Sequence, residues 1–288
     1  MHRSRFSLPV GALAGALALA ACASDSTAPS GPQAVAIRFT PRVGAQAFTC
    51  GQSYTGLGST STTATATDFM MYVSSVELLR ADGSAEPVEL VQDGRWQIDD
   101  IALLDFATNT NCPNATADTN YVVRGTVPAG NYTGLRFVLG VPFARNHADV
   151  ASAPSPLNLS RMFWSWNAGY KFVRLDLTTT GVPTGWNLHL GSTTCTPGGG
   201  PTVQPTTCAQ QNRPTVTLNG FNAASNVVIA DVASLLASTN LDVSAMPAAG
   251  CMSGPTDTDC AQVFQALGLP FGGSAAPATQ NFFRVGTN

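Results

Sequence analysis

Few side chains in this sequence could do chemistry, and they are unevenly placed. Besides His2 near the start, the chain holds two histidines, His147 in Asn146-His147-Ala148-Asp149 and His189 in Leu188-His189-Leu190. The stretch MFWSWNAGYKF, residues 162–172, gathers two of the four tryptophans and the only lysine. In an extended strand residues two apart share a face, so Met162, Trp164 and Trp166 would line one side with a thioether and two indoles. Three readings suit such a face: ordinary core packing, an aromatic platform for sugar rings, and a soft-metal site that uses the sulfur. Each histidine reads first as a surface or satisfied core residue, with a ligand role as the alternative. The chain has no GxSxG elbow, HExxH pair, Walker loop or GxGxxG turn, and with so few histidines a hydrolytic triad has little to stand on. A protein without turnover of its own is therefore expected.

The cysteines point to a compartment. The chain opens MHRSRFSLPVGALAGALALAACAS, a short basic head followed by an apolar run too short to span a membrane and ending at Cys22. Small residues running into that cysteine resemble a bacterial lipobox, so residues 1–21 read as a lipoprotein signal peptide and Cys22 as the lipidated first residue of the mature chain. Ala23 after it suggests outer-membrane sorting. Residues 22–33, rich in Ser, Pro and Gly, read as a flexible tether, and residues 34–288 as a single domain. Removing the leader takes two arginines from 14 basic side chains against 17 acidic ones, so the net charge moves from −3 to −5 and nucleic acid is an improbable partner. Six cysteines then remain, an even count that reads as disulfides in an exported chain. Cys195 with Cys208 and Cys251 with Cys260 bracket short loops, which leaves Cys50 with Cys112. Full pairing would leave no thiolate to attack a substrate or bind metal.

The elements that must position these groups are mostly strands. Alternating apolar patterns cover residues 35–39, 69–79, 87–91, 96–106, 121–127, 132–141, 164–177, 186–190, 215–218 and 282–285. Strands at this spacing predict an all-β fold, an antiparallel sandwich or barrel with long disulfide-stapled loops. Helical spacing appears only at residues 231–237 and 259–267, the latter ending at Gly268 as a capped helix would.

Several stretches together resemble the MbnP-like family of bacterial periplasmic copper-binding proteins, of the four-Cys, metallo-mystery-pair type. They are FMMYVSSVELL at 69–79, LGVPFARNHAD at 139–149, SPLNL at 155–159, MFWSWNAGYKFVRLD, LHLGSTTC at 188–195, and GCMSGPTDTDC followed by LGLPFG. The resemblance implies a partner, an MbnH-like di-haem, peroxidase-like cytochrome that oxidises a tryptophan to kynurenine. The new aryl amine and carbonyl then chelate copper together with a histidine and a methionine sulfur. Carried onto this sequence, the histidine falls on His189, the oxidised indole on Trp164 or Trp166, and the sulfur on Met162 or alternatively Met252. His147 is a further ligand or a group that orients the site. An intact indole is a poor ligand because its nitrogen lone pair belongs to the ring, so oxidation would turn a spectator into a chelator. A blue-copper centre is excluded by the paired cysteines, since it needs a thiolate. The other functional reading is a glycan-binding or adhesion lipoprotein using the Trp164 and Trp166 face, which requires both rings exposed and no histidine beside them.

Overall fold

In the computed structural model, which describes residues 1–2, 31–165, 167–196 and 203–287, two sheets face each other as a sandwich, without closing into a barrel. Cys22, the rest of the leader, most of the tether and Trp166 lie outside the described residues. One sheet runs in the order Phe283–Thr287, Asn226–Asp231, Gln33–Val43, Val122–Val127, Glu89–Leu90. The larger one runs Thr215–Asn219, Gly134–Leu139, Thr62–Leu79, Val173–Thr179, Trp186–Leu190, Gly250–Cys251, with four short strands attached to its side. Rings close the space between them: Phe39 meets Phe137 edge-on at 5.5 Å, and Phe137 meets Phe283 at 5.1 Å.

The 18-residue strand Thr62–Leu79 is the spine of the larger sheet, pairing with Gly134–Leu139 near one end and with Val173–Thr179 near the other. Its register with its neighbours sorts side chains by face. Phe69, Leu175 and Leu188 stand in one row across three strands, and Met71, Val173 and Leu190 in the next, all wholly buried. Between those rows, on the opposite face, stand Met70, Arg174 and His189, and then Asp68, Asp176 and Asn187. The period of two thus gives this sheet an apolar face and a charged one.

Three differences from the sequence expectation shape the site. The strand expected over 164–177 is broken: Ser160–Met162 is a 3-10 turn, Phe163–Ser165 pairs back on Gly169–Tyr170, and only Val173–Thr179 joins the main sheet. Gly169 allows the reversal, with a φ of +75° and a backbone so close to Asn146 that a Cβ would lie 2.4 Å from its carbonyl oxygen. Met162 therefore closes a turn and does not continue the Trp164 strand face. Second, residues 96–106 form a tight hairpin of Gln97–Ile98 and Ile101–Asp105. Third, two pairings are parallel, Gln33–Val43 with Asn226–Asp231 and Trp186–Leu190 with Gly250–Cys251, joining segments far apart in sequence. Short helices occur at Val232–Leu236 and Ala261–Ala266 as expected, with a further helical turn at Phe143–Asn146.

Disulfides link Cys50 to Cys112, Cys195 to Cys208 and Cys251 to Cys260, the sequential pattern. No described helix is long and apolar enough to cross a membrane.

Candidate metal centre

The charged sheet face is roofed by the Phe163–Ser165 hairpin, and beneath it runs a chain of ion pairs. Arg161 Nη2 lies 2.7 Å from Asp68 Oδ2, which also holds Arg174 Nε at 2.8 Å; Arg174 Nη2 reaches Asp176 Oδ2 at 2.5 Å. The chain ends where Asp176 Oδ1 meets His189 Nε2 at 2.6 Å. Burial would raise the Asp176 carboxyl, but the His189 hydrogen bond and the Arg174 charge outweigh it and hold the group below its usual range. On His189 the balance runs the other way. Burial dominates the attraction of Asp176, and Lys171 and Arg174 add like charge, so the imidazole is held neutral to lower pH than usual.

That pairing fixes the tautomer. Asp176 is an acceptor, so the neutral ring carries its proton on Nε2 and leaves a lone pair on Nδ1. Among the described residues Nδ1 makes no hydrogen bond, and the side chain is 12 % exposed. A carboxylate behind one nitrogen and an open lone pair on the other is the arrangement of a metal-ligating histidine.

Trp164 stands over it, half-buried, with ring centroids 6.3 Å apart and planes inclined by 55°. Gly191 admits the indole, since a Cβ there would lie 2.5 Å from Trp164 Cζ3. Lys171 Nζ donates to the Arg161 carbonyl at 3.0 Å and lies 6.0 Å from the Trp164 ring centre. Burial first, and then the Arg174 charge, push its ammonium down to about 8. Trp164 thus has a histidine beside it and a glycine beneath it, which removes the exposed, histidine-free ring that the glycan reading requires of this residue.

The two candidate sulfurs are placed differently. Met162 is wholly buried in the apolar core, with its carbonyl accepting from Lys171 N–H. Met252 is half-buried and directly follows Gly250–Cys251, the short strand that pairs with Trp186–Leu190. Leu188 pairs with Cys251, both buried in the core, and His189 and Met252 are the residues that follow on the two segments. Ser253 ties the two segments, its Oγ donating to His189 O and accepting from Gly191 N–H, each at 2.9 Å. Met252 also opens on a surface cavity of about 330 Å³ shared with Met246 and Asp257.

His147 sits elsewhere, capping Phe143–Asn146 and buried against the Cys195–Cys208 bridge, with Nε2 3.4 Å from Cys208 Sγ. Its link to the roof is indirect: the neighbouring Asn146 accepts from Tyr170 N–H at 2.9 Å. Asp176, Arg174, Asp68 and Gly191 were not singled out from the sequence. The alternation Arg174-Leu175-Asp176 opposite Asn187-Leu188-His189 carries the signal, but it becomes readable only once those two strands are known to pair.

Comparison with known proteins agrees with this architecture. A family model described as MbnP matches residues 32–253. The solved structure of MbnP from Methylosinus trichosporium superposes with a TM-score of 0.79 at 32 % identity, covering 89 % of this chain and 99 % of that one. No curated protein matches by sequence.

Proposed function

The chain belongs to the MbnP family, and on that premise we propose that it is a copper-binding protein of the methanobactin-related kind, with its site on His189 and Trp164. The observation that carries this reading is the His189 ring, held through Nε2 by Asp176 with Nδ1 left open, beside an indole set against Gly191. His189 Nδ1 would supply the imidazole ligand and Met252 the sulfur, in preference to Met162, whose thioether is enclosed by core side chains. Thioether suits Cu(I), and a neutral imidazole suits either copper state.

Trp164 joins the set after oxidation to kynurenine, in which the ring opens, one carbon leaves and one oxygen is gained. The oxidant is a partner di-haem enzyme of the MbnH type. Half-exposure of Trp164 on the roof, with the other ligands beneath, supports its accessibility to such a partner. The protein itself is a holder of copper and not an enzyme. Cys22 as a lipid anchor and a periplasm-facing outer-membrane position complete the reading.

Copper retention in equilibrium dialysis after co-expression with the cytochrome, compared with His189→Ala, tests it. Equal retention in both would remove His189 from the site. Intact mass should show one tryptophan with a carbon traded for an oxygen, and Trp164→Phe should abolish that change. A modification that survives Trp164→Phe moves the chelator to another indole, Trp166 first.

A further inference from the structure

The second histidine offers a site of its own. Cys195 and Cys208 face each other in register across the two-stranded ribbon Thr193–Thr196 and Thr207–Gln210. His147 Nε2 and the two sulfurs all lie within 4.8 Å of one another. His147 and Cys208 are buried and Cys195 is half-buried. Around a single thiophilic ion, with metal–sulfur bonds near 2.3 Å and metal–nitrogen bonds near 2.0 Å, ligand atoms stand about 3.5–4 Å apart. Small outward movements of the two sulfurs would reach that spacing.

The state of His147 follows from its neighbour. Tyr170 N–H needs an acceptor and finds Asn146 Oδ1 at 2.9 Å, which fixes the amide. Asn146 Nδ2 therefore donates to His147 Nε2, 3.2 Å away, so Nε2 is unprotonated; a metal would take the place of that amide on its lone pair, with Cys208 Sγ 3.4 Å from the nitrogen. In the oxidised protein both sulfurs are bonded and neither is a ligand. Cutting that bond leaves them side by side, because the backbone pairing of the ribbon, and not the bond alone, sets them opposite each other.

We infer that reduction of the Cys195–Cys208 bridge creates a second metal site, a two-thiolate, one-imidazole set for Cu(I), separate from the His189 centre. A dithiol reductant supplies the two electrons and two protons: its thiols close into a disulfide while the Cys195–Cys208 bond opens into two thiols. Cu(I) then displaces both thiol protons to solvent and takes His147 Nε2 as its third ligand. Two thiolates and an imidazole favour a soft ion, and copper is the ion the rest of the protein is read to handle. The site itself stands without the His189 reading, because neither ligand set shares a residue with the other; only the choice of copper among thiophilic ions rests on that reading.

The test uses the full mature chain under anaerobic conditions, titrated with Cu(I) against a chromogenic Cu(I) chelator, before and after graded reduction by a dithiol. Thiol labelling and peptide mass identify which bridge has opened. Expected is one additional Cu(I) per chain once Cys195 and Cys208 are free, with a thiolate-to-Cu(I) absorption band. His147→Gln, which keeps the bridge, should weaken that equivalent at least tenfold, and His189→Ala should leave it unchanged. The inference is overturned if the additional copper persists in the Cys195→Ser, Cys208→Ser double variant or is indifferent to His147→Gln. It is equally overturned if opening this bridge binds no copper or unfolds the chain, as followed by circular dichroism.

Discussion

His189 and His147 are both removed from solvent and both lie near residues that could share a metal, yet they are prepared for different things. His189 belongs to a strand in the middle of a paired register, so its neighbours are dictated by the sheet: Arg174 opposite and Asp176 diagonal. A carboxylate sets its proton, and the ring lies beside the Trp164 indole with Nδ1 making no hydrogen bond among the described residues. His147 ends a one-turn helix and is lodged by loops against oxidised sulfur. Its lone pair is set by an amide, and the partners it could share a metal with are locked in a covalent bond. A buried imidazole, then, is defined less by its burial than by what stands behind each nitrogen.

The largest expected effect is at the carboxylate-backed ring. His189→Ala should lower copper affinity by more than ~100-fold, beyond what is typical for losing only a supporting group; dialysis against a competing chelator reads it. Removing the other region's covalent lock should act on stability instead. The Cys195→Ser, Cys208→Ser pair opens a bridge spanning 13 residues, for which chain entropy predicts a loss of about 3 kcal/mol in chemical denaturation. Copper held at His189 should be retained. Joint loss of both properties would mean the two regions fold and bind as one unit.

The same lesson extends to carboxylates on the charged face. Asp105, wholly buried, accepts from Thr116 Oγ1 and from Ala107 N–H but has no cation bonded to it, and burial pushes it up to about 6. The folded protein then keeps a proton that the unfolded chain loses near 3.9, so stability falls as pH rises from about 4 to about 6. The full span is up to about 3 kcal/mol, and Asp105→Asn should flatten it. Asp176, held down by His189 and Arg174, gives the opposite slope at lower pH, its contribution lost as acid protonates it. Asp176→Asn should cost 10- to 100-fold in copper affinity, because an amide behind Nε2 can no longer enforce the tautomer. Unchanged affinity would show that Asp176 serves only the ion-pair chain.

Much of this was legible in the sequence, and what was hidden has a common cause. The alternating runs announce a sandwich because a period of two is a local property. Two of the bridges follow from short intervening loops, and the third, Cys50 with Cys112, is what an even count leaves. The His189 motif and the tryptophan stretch could be joined only through family resemblance, since nothing local says that residues 164 and 189 meet. Asp176 escaped because its role is a cross-strand one, created when Arg174 faces His189. An unbroken strand would set Met162 on the Trp164 face; a 3-10 turn ends at Met162 instead, and the chain reverses at Gly169, where a positive φ and the closeness of Asn146 are invisible to periodicity. The parallel partnership of Leu188 with Cys251, which brings the segment carrying Met252 and Ser253 against the His189 strand, joins segments some sixty residues apart and leaves no local trace.

The smallest expected effect is also the one that most sharply separates the two regions. His147→Gln in the oxidised protein should change copper affinity by less than about twofold, within the scatter of distant, independent sites. The reason is positional: the His147 ring contacts Asn146, Phe143 and Cys208, while Trp164 and His189 meet across Gly191 on the other side of the Gly169–Tyr170 segment. Among the described residues a connection to the roof runs through Asn146 to Tyr170 N–H, and glutamine at 147 leaves Asn146 in place. A substantial loss of copper from oxidised His147→Gln would show that this connection positions the Trp164 roof, and the two histidines would then have to be read as one site. No change, set beside the loss expected for Asp176→Asn, would make the carboxylate behind the ring the feature that distinguishes a copper-holding histidine from a latent one.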